Sequence, residues 1–262
     1  MDPAAVKPSP WFDPARLPEL CLSLLFCALV VWFVLRARGG TSFYIRRIAG
    51  LEAVEEAIGR ATEMGRPILF VPGLDSLDEV ATVAAVNILG EVAARVAQYE
   101  TPILVPNRDP IVMSVAQEVV RDAYSTAGRP DLYREDDIFY ATYSQFGYAA
   151  AVCGTMIRRR PATNFFFGRY YAESLVMAET GNQIGAIQIA GTDSESQLPF
   201  FVTACDYVLM GEELYAGSVY LSREPILLGA LKAQDMAKLA IIGFLLLGSL
   251  LRFAHLWAVP AK

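Results

Sequence analysis

The chain has 262 residues, of which 54% are hydrophobic, and its 28 acidic and 22 basic side chains give a formal net charge of −6. This acidic balance argues against nucleic acid as a partner, because nucleic-acid binding normally needs a basic face. His255 is the only histidine and no CxxC pair is present, so we expect neither a zinc site of ordinary spacing nor a Ser–His or Cys–His nucleophile.

Two long apolar stretches flank the central part of the chain. Residues 17–35 and 239–259 are each about as long as the ~20 residues that an α-helix needs to cross a bilayer. We expect no comparable stretch between them. The sequence therefore predicts two transmembrane helices, with the lipid bilayer as a partner of the protein.

Basic residues near these stretches predict how the chain is oriented. Arg36 and Arg38 follow the first stretch, and Lys232 precedes the second. Because basic residues accumulate on the cytoplasmic side of membrane spans, we expect the central region in the cytoplasm. The prediction is a two-pass protein of the cell inner membrane, with an extracytoplasmic tail at 1–16 and a cytoplasmic domain at 45–235.

Short apolar runs alternate with amphipathic stretches of helical period through the central region. The predicted strands are 67–71, 102–105, 137–142, 164–167, 184–190 and 203–210. The predicted helices are 48–64, 77–98, 110–127, 144–159 and 171–179, with a further helix from residue 212. Because helices join parallel strands that are buried on both faces, this alternation predicts an α/β fold. We expect a Rossmann-like, open, mostly parallel sheet flanked by helices, with one transmembrane helix at each end.

Glycines stand at the ends of several predicted strands. In an open parallel sheet, ligands bind beyond the carboxyl ends of the strands, and a residue without Cβ lets a ligand approach the backbone. Gly73, Gly168 and Gly191 are therefore candidate ligand contacts. The alternative is that these glycines only allow tight turns between a strand and the next helix.

Arg108 and Arg169 also stand at predicted strand ends, where a guanidinium group would bind an anionic ligand. The alternative is a structural network in which either arginine pairs with a carboxylate of the protein, such as Asp75, Asp109 or Glu173.

The segment 191–197 is rich in hydroxyl and acidic side chains. Its hydroxyl and backbone N–H groups would suit a phosphate or another small polar molecule, although Asp193 and Glu195 disfavour an anion. The alternative is a segment that caps a helix. The predicted ligand-binding residues are Gly73, Asp75, Asn107, Arg108, Gly168, Arg169, Gly191, Thr192 and Ser194.

The common catalytic and nucleotide-binding motifs are absent from the sequence. It contains no GxxxxGK[ST] phosphate loop, no GxGxxG fingerprint and no GxSxG nucleophile elbow. We therefore assign no catalytic residue, no metal ligand and no cofactor. Acid–base or metal chemistry through Asp75, Asp193 and Glu173 is an alternative, and it requires the three carboxyl groups to converge on one cavity.

The central region carries a series of short, distinctive segments, which are 116–121 (AQEVVR), 128–131 (GRPD), 172–175 (AESL), 178–181 (AETG), 191–194 (GTDS), 197–201 (QLPFF) and 211–215 (GEELY). In these segments the chain resembles a family of bacterial membrane-anchored proteins known as a domain of unknown function. The resemblance covers most of residues 45–235 and implies an inner-membrane setting. It supplies no catalytic residues.

Three features favour a binding protein: the two anchors, the glycines at strand ends and the lack of a catalytic constellation. We predict a membrane-tethered cytoplasmic domain that binds a small polar ligand or a protein partner and self-associates as a homo-oligomer, since anchoring raises the effective concentration of lateral partners. One alternative is a carboxylate- or metal-dependent hydrolase or transferase. The other is a membrane scaffold, which exposed apolar patches would favour.

Overall fold

A computed structural model describes residues 16–39, 49–222 and 224–258. These residues form two compact units. Helices α1 (Leu17–Arg38) and α9 (Pro225–Ala258) form the first unit, and residues 49–222 form the second. The predicted tail at 1–16 lies almost wholly outside the described residues, as do residues 45–48 of the predicted domain and residue 259 of the second predicted span.

Small side chains form the contact between α1 and α9. A Cβ atom added to Gly229 of α9 would lie only 2.5 Å from the Cα atom of Val34 in α1, so the two backbones approach closely at this point. Ala233, one helical turn further along α9, is buried, and so are Phe33 and Ala37 of α1. Small residues four positions apart on one helix face are typical of close helix–helix packing.

Three described helices are long and apolar enough to cross a membrane: Leu17–Arg38, Val80–Gln98 and the Pro225–Leu250 part of α9. The second of these lies between the two predicted spans, so the expectation of no comparable stretch there is wrong. Burial distinguishes the three helices. In Val80–Gln98, 61% of the apolar window is buried inside the protein, against 11% in α1 and 6% in α9. A helix that is buried on most of its surface is apolar on all sides, so its composition resembles that of a membrane span.

The second unit alternates helices and strands. Its helices are α2 (Ala49–Met64), α3 (Val80–Gln98), α4 (Pro110–Thr126), α5 (Gln145–Arg159), α6 (Ser174–Gln183), α7 (Leu198–Ala204) and α8 (Glu212–Ser222). Its strands are β1 (Ile68–Val71), β2 (Ile103–Asn107), β3 (Ile138–Tyr140), β4 (Thr163–Phe167), β5 (Ile187–Thr192) and β6 (Tyr207–Met210). Two single turns of 3₁₀-helix, Pro130–Leu132 and Glu135–Asp137, lie between α4 and β3.

All six strands pair in parallel in one open sheet, in the order β3-β2-β1-β4-β5-β6. This result confirms the predicted α/β class with an open parallel sheet. The order is that of doubly wound dinucleotide-binding sheets, in which the order of the strands reverses between β1 and β4. The carboxyl edge of the sheet, where the strands end, is therefore the edge at which such proteins bind ligands.

Helices cover both faces of the sheet. Alternate side chains of a strand point to opposite faces, and in β1 Ile68 and Phe70 pack with α2, α3, α4 and α8, whereas Leu69 and Val71 pack with α5, α6 and α7. Phe165 and Phe167 join the first core and Phe166 joins the second. The three buried phenylalanines of β4 thus pack against both helix layers at the middle of the sheet.

The predicted boundaries fail most clearly between β5 and β6. The sixth strand was expected at 203–210, but β6 begins at Tyr207 and residues Leu198–Ala204 form α7 instead. Pro199 lies in the first turn of α7, where its fixed φ angle suits a helix, and Phe201 buries the inner face. Strand β5 also begins later than predicted, because α6 extends to Gln183 and Gly185 ends it with a positive φ of 70°.

Candidate functional site

The structure places the predicted site residues along the carboxyl edge of β2, β1, β4 and β5, but the gap between β1 and β4 is closed. Gly73 and Gly168 face each other across it: a Cβ atom on Gly168 would lie 2.6 Å from the carbonyl oxygen of Pro72. The backbone N–H of Leu74 also donates to the carbonyl oxygen of Arg169 at 3.0 Å. The two glycines therefore let two loops pack against each other at this point.

Arg169 is the centre of an ionic cluster at this edge. Its guanidinium group donates to Asp193 at 2.9 Å and to Glu79 at 3.1 Å, and it lies 4.0 Å from a carboxylate oxygen of Asp75. The side chains of Asp75 and Asp193 are only 15% and 14% exposed. Three carboxylates surround one guanidinium group, so the cluster carries an excess of negative charge and does not offer a free cation to an anionic ligand.

Two tyrosines complete the cluster. The hydroxyl of Tyr171 donates to Asp75 at 3.0 Å, and that of Tyr215 donates to Asp193 at 2.9 Å. Partial burial, followed by the hydrogen bond to Asp193, raises the pKa of Tyr215 to about 12. The same two causes, with Asp75 as the acceptor, raise the pKa of Tyr171. Both phenols therefore act as neutral donors that hold the carboxylates in place.

Asn107 is the last residue of β2 and Arg108 follows it, and both side chains donate to backbone carbonyl groups. Arg108 donates to the carbonyl oxygens of Leu74 at 2.6 Å and Tyr143 at 2.8 Å, and its guanidinium group stacks 4.5 Å from the centre of the Tyr143 ring. Buried Asn107 donates to Val105, and its side-chain oxygen has no hydrogen-bond partner in the described chain. Arg108 therefore connects its own loop, after β2, with the loops that contain Leu74 and Tyr143.

The predicted polar loop contributes less than expected. Gly191 and Thr192 belong to β5, and a Cβ atom on Gly191 would lie 2.7 Å from the ring of Phe167, so this glycine makes room for a core phenylalanine. The hydroxyl of Thr192 accepts from the backbone N–H of Ser194, and the hydroxyl of Ser194 lies 3.4 Å from that of Ser196. These contacts are local turn contacts.

The carboxylates named for catalysis do not share one set of contacts. Asp75 and Asp193 both face Arg169, whereas buried Glu173 accepts from the side-chain amide of Gln145 at 2.5 Å and from the backbone N–H of Tyr171 at 2.8 Å. Over the ranges 16–39, 49–222 and 224–258, no group of three or more potential ligands is arranged to hold a metal ion. The geometry gives the hydrolase alternative no support.

Among the described residues of the second unit, surface cavities lie away from the carboxyl edge. One of about 170 Å³ lies at the amino ends of β2 and β3, and one of about 310 Å³ lies where α2 meets the amino ends of β5 and β6. The third, of about 420 Å³, is an open groove between α3 and α4. None of these three cavities touches the carboxyl edge.

Exposed apolar side chains surround the carboxyl edge instead. We call this set the apolar rim. It consists of Val80, Val83, Ile111, Tyr140, Tyr143, Phe146, Tyr171, Leu175, Val176, Phe200 and Met210. Every member belongs to the end of a strand, the loop after it or the first turns of the next helix. The other described residues of this unit that expose a large apolar side chain are fewer: Met64, Tyr99, Ile157, Val202 and Tyr207.

Sequence reasoning missed Glu79, Tyr171 and Tyr215 as members of the ionic cluster. Tyr171 follows β4 closely, so its place in the sequence could have predicted a position at the carboxyl edge. Glu79 precedes α3 and Tyr215 lies on α8, so their contacts with Arg169 and Asp193 depend on tertiary packing that no local pattern encodes.

Comparison with known proteins identifies the family of the chain. No curated protein and no solved structure matches the chain. A family model described as "Domain of unknown function (DUF6754)" matches residues 7–260, which is nearly the whole sequence. The chain therefore belongs to this uncharacterised family, Domain of unknown function (DUF6754).

Proposed function

We propose that this protein is a membrane-anchored α/β module that self-associates through the carboxyl edge of its sheet. The observation that carries the proposal is the apolar rim. Large apolar side chains gathered around one edge mark a protein-binding surface, whereas scattered single ones need no explanation. The closed gap between β1 and β4 and the internally paired arginines favour a protein surface over a small polar ligand as the occupant of this edge.

The anchors in this proposal are α1 and α9. Their apolar side chains have little to pack against in the protein: Leu22 and Leu25 of α1 are each 69% exposed, and Phe244 of α9 is 77% exposed. Such helices are stable when lipid covers them. Helix α3 is not an anchor in this scheme, because its buried face packs in the core of the second unit.

The orientation follows from basic residues within the two anchor helices. Arg36 and Arg38 lie in the last turn of α1, and Lys232 and Lys238 lie in the first half of α9. The positive-inside rule then puts the α/β unit in the cytoplasm and makes the protein a two-pass component of the inner membrane. Resemblance to bacterial membrane-anchored proteins supports a bacterial setting.

Protease digestion of sealed vesicles tests this orientation. Exposed arginines such as Arg158 and Arg159, neither of which is followed by proline, make the α/β unit a substrate for trypsin. We expect cleavage there in inside-out vesicles and protection in right-side-out vesicles. Cleavage in right-side-out vesicles would overturn the proposed orientation.

A second copy of the chain is the partner that anchoring favours. Two anchored copies diffuse in one plane, so the effective concentration of one rim for another is far higher than in solution. Energy transfer between donor- and acceptor-labelled full-length chains in lipid vesicles measures the association. The signal should fall as lipid dilutes the protein.

Two matched isoleucines test whether the apolar rim forms the contact. Ile111 is 66% exposed at the carboxyl edge, and Ile157 is 60% exposed near the end of α5 at the opposite edge. Burial of one such side chain contributes about 1.5 kcal/mol, so we expect Ile111→Ser to weaken association about tenfold. Phe146→Ser should have a similar effect, and Ile157→Ser should have none.

Two results would refute self-association through the rim. One is an absence of energy transfer between wild-type chains at any lipid ratio. The other is an equal loss of association in the Ile111→Ser and Ile157→Ser proteins, which would place the contact elsewhere.

A further inference from the structure

Strand β6 is the outermost described strand on one side of the sheet. The backbone N–H of Gly211, just after it, donates to the carbonyl oxygen of Thr192 in β5 at 2.9 Å. The N–H of Met210 instead donates to the carboxylate of Glu213 at 3.3 Å. Because backbone groups of alternate residues in a strand point to opposite sides, those of Val208 point away from β5, as those of Met210 do. Val208 therefore presents a backbone donor and acceptor on the outer side of the sheet.

The two outermost strands differ in how they are protected. At β3, Gln117 of α4 donates to the carbonyl oxygen of Ile138 at 3.1 Å, and three acidic residues at 135–137 precede the strand. Natural sheets protect their outermost strands in such ways, because free backbone groups there pair with other chains. Strand β6 (YVLM) contains no charged residue, and its Tyr207 and Met210 are 39% and 49% exposed. It is therefore the less protected of the two.

A groove with charges of both signs runs beside β6. It is the cavity of about 310 Å³ between this strand and α2, and two alanines of α2 and the side chain of Tyr207 line it. Glu56 and Arg60 of α2 also line it, one helical turn apart, and both are exposed. Neither forms an ion pair with another residue of the described ranges. An exposed cation beside an exposed anion is complementary to a second copy of the same surface, because a two-fold contact brings each residue against the other.

We propose that two copies of the chain pair through β6 in antiparallel directions, with Arg60 of each copy facing Glu56 of the other. The free backbone groups of Val208 bond across this two-fold contact, which joins the two sheets and buries the exposed part of Tyr207. We call this contact the β6 contact. It shares no residue with the apolar rim, so it is a second and separate contact between copies.

Charge reversal tests the β6 contact by energy transfer between full-length chains in lipid vesicles. All chains carry Ile111→Ser and Phe146→Ser, which weaken the proposed contact through the rim. Arg60→Glu places two glutamates on each copy, and Glu56→Arg places two arginines, so like charges meet across the two-fold axis. We expect each variant alone to associate about tenfold or more weakly than its parent.

A mixture of the two variants is the decisive measurement. Each glutamate of one chain then faces an arginine of the other, so energy transfer between Arg60→Glu donors and Glu56→Arg acceptors should return to the level of the parent. Recovery on mixing cannot come from a misfolded chain. Unchanged association of the single variants, or no recovery in the mixture, would overturn the proposal. A parent that shows no energy transfer at any lipid ratio would also overturn it.

The matched control is a second exposed pair on another helix. Glu118 and Arg121 of α4 lie 3.0 Å apart and away from β6. We expect Glu118→Arg and Arg121→Glu, alone or mixed, to leave energy transfer unchanged. A loss as large as that at positions 56 and 60 would show a general effect of charge and would refute the β6 contact.

A lysine on the strand tests the part played by β6 itself. Tyr207→Lys gives β6 the kind of charge that protects outer strands from pairing. We expect association about tenfold weaker than in the parent, and no change in Tyr99→Lys, which alters a 55% exposed tyrosine at the end of α3. Circular dichroism verifies that both chains fold. Equal association of the two folded variants would remove β6 from the contact and contradict the proposal.

Discussion

The two edges of the sheet differ in how closely their arginines are paired with other groups of the protein. At the carboxyl edge, Arg169 and Arg108 donate to carboxylates and carbonyl groups of the protein itself, and paired glycines close the gap between β1 and β4. At the amino edge, a cavity is lined by Tyr133, Asp137 and Arg159, and the charged groups of Asp137 and Arg159 lie 4.0 Å apart. The strand order predicts where loops gather in a doubly wound sheet. It does not predict whether those loops leave a cavity, which depends on the side chains that fill it.

The exposed apolar side chains differ between the edges in the same way. The carboxyl edge has a surrounding rim of exposed apolar groups, which suits a protein contact. The amino edge has fewer such groups and a small cavity lined by both apolar and charged side chains. Substitutions that perturb one edge at a time therefore test the two edges separately.

The largest effect should come from adding a methyl group at Gly168, where the loops after β1 and β4 already pack against each other. Gly168 has a φ of 123°, and its added Cβ would meet the carbonyl oxygen of Pro72 at 2.6 Å. Backbone strain and overpacking together should make Gly168→Ala about 3 kcal/mol or more less stable. Urea unfolding of the full-length chain in detergent, followed by circular dichroism, measures the loss.

Gly185 is the control for this substitution. Its φ is also positive, at 70°, but nothing lies within 4 Å of the added Cβ atom. Gly185→Ala should therefore lose only about 1 kcal/mol, from strain in the left-handed region. Equal losses at the two positions would mean that the loops at the carboxyl edge are not tightly packed.

Removal of the central cation should have the next largest effect. Arg169→Gln leaves Asp75, Asp193 and Glu79 without their shared partner, and the Arg169 side chain is only 34% exposed. We expect a loss of about 2 kcal/mol, between the values for exposed and buried pairs. A double-mutant cycle with Asp193→Asn isolates the pair, and a coupling energy near zero would contradict a structural role for the cluster.

A smaller difference should separate two buried tyrosine hydroxyls, one from each edge. The hydroxyl of Tyr170, next to the cluster, donates to the carbonyl oxygen of Val71 at 2.7 Å, whereas that of Tyr133 has no partner in the part of the protein that is described. Tyr170→Phe should lose about 1 kcal/mol, and Tyr133→Phe should lose nothing or gain a few tenths. Thermal unfolding of the two variants in parallel measures the difference, and a clear loss in Tyr133→Phe would show that the hydroxyl is satisfied after all.

Most of the fold was predictable because each element leaves a local pattern. The apolar runs that became β1, β2 and β4 are bounded by glycine, proline or polar residues, and the helices between them have a clear period. Helix α7 was missed because its apolar stretch is short and resembles the start of a strand. Helix α3 was not recognised as a candidate span because its amphipathic helical pattern was read as part of the α/β domain, although its apolar window also meets the length and hydropathy of a membrane span.

The candidate site was predictable only in its location. The chain positions of Gly73, Arg108 and Arg169 after strands correctly put them at one edge. Whether a guanidinium group is free for a ligand depends on contacts with residues far along the chain, such as Asp193 and Glu79. No sequence pattern predicts the amino-edge cavity, because Tyr133, Asp137 and Arg159 come from separate elements and form no motif.

The smallest predicted effect is a pH dependence of stability that belongs to the amino edge. Burial raises the pKa of the Asp137 carboxyl in the folded chain above its value in the unfolded chain, despite the attraction of Arg159 and Arg134. The folded state therefore holds this proton more tightly than the unfolded state, and the ionised carboxylate costs stability once the pH rises through the folded pKa. Asp137→Asn removes that cost. We expect the variant to be more stable than the wild type at pH 7, by less than about 1 kcal/mol, with the advantage lost below about pH 3, where both states of the wild type are protonated. Urea unfolding at the two pH values measures it. A variant that is less stable at pH 7 would mean that the attraction between Asp137 and Arg159 outweighs the cost of burial.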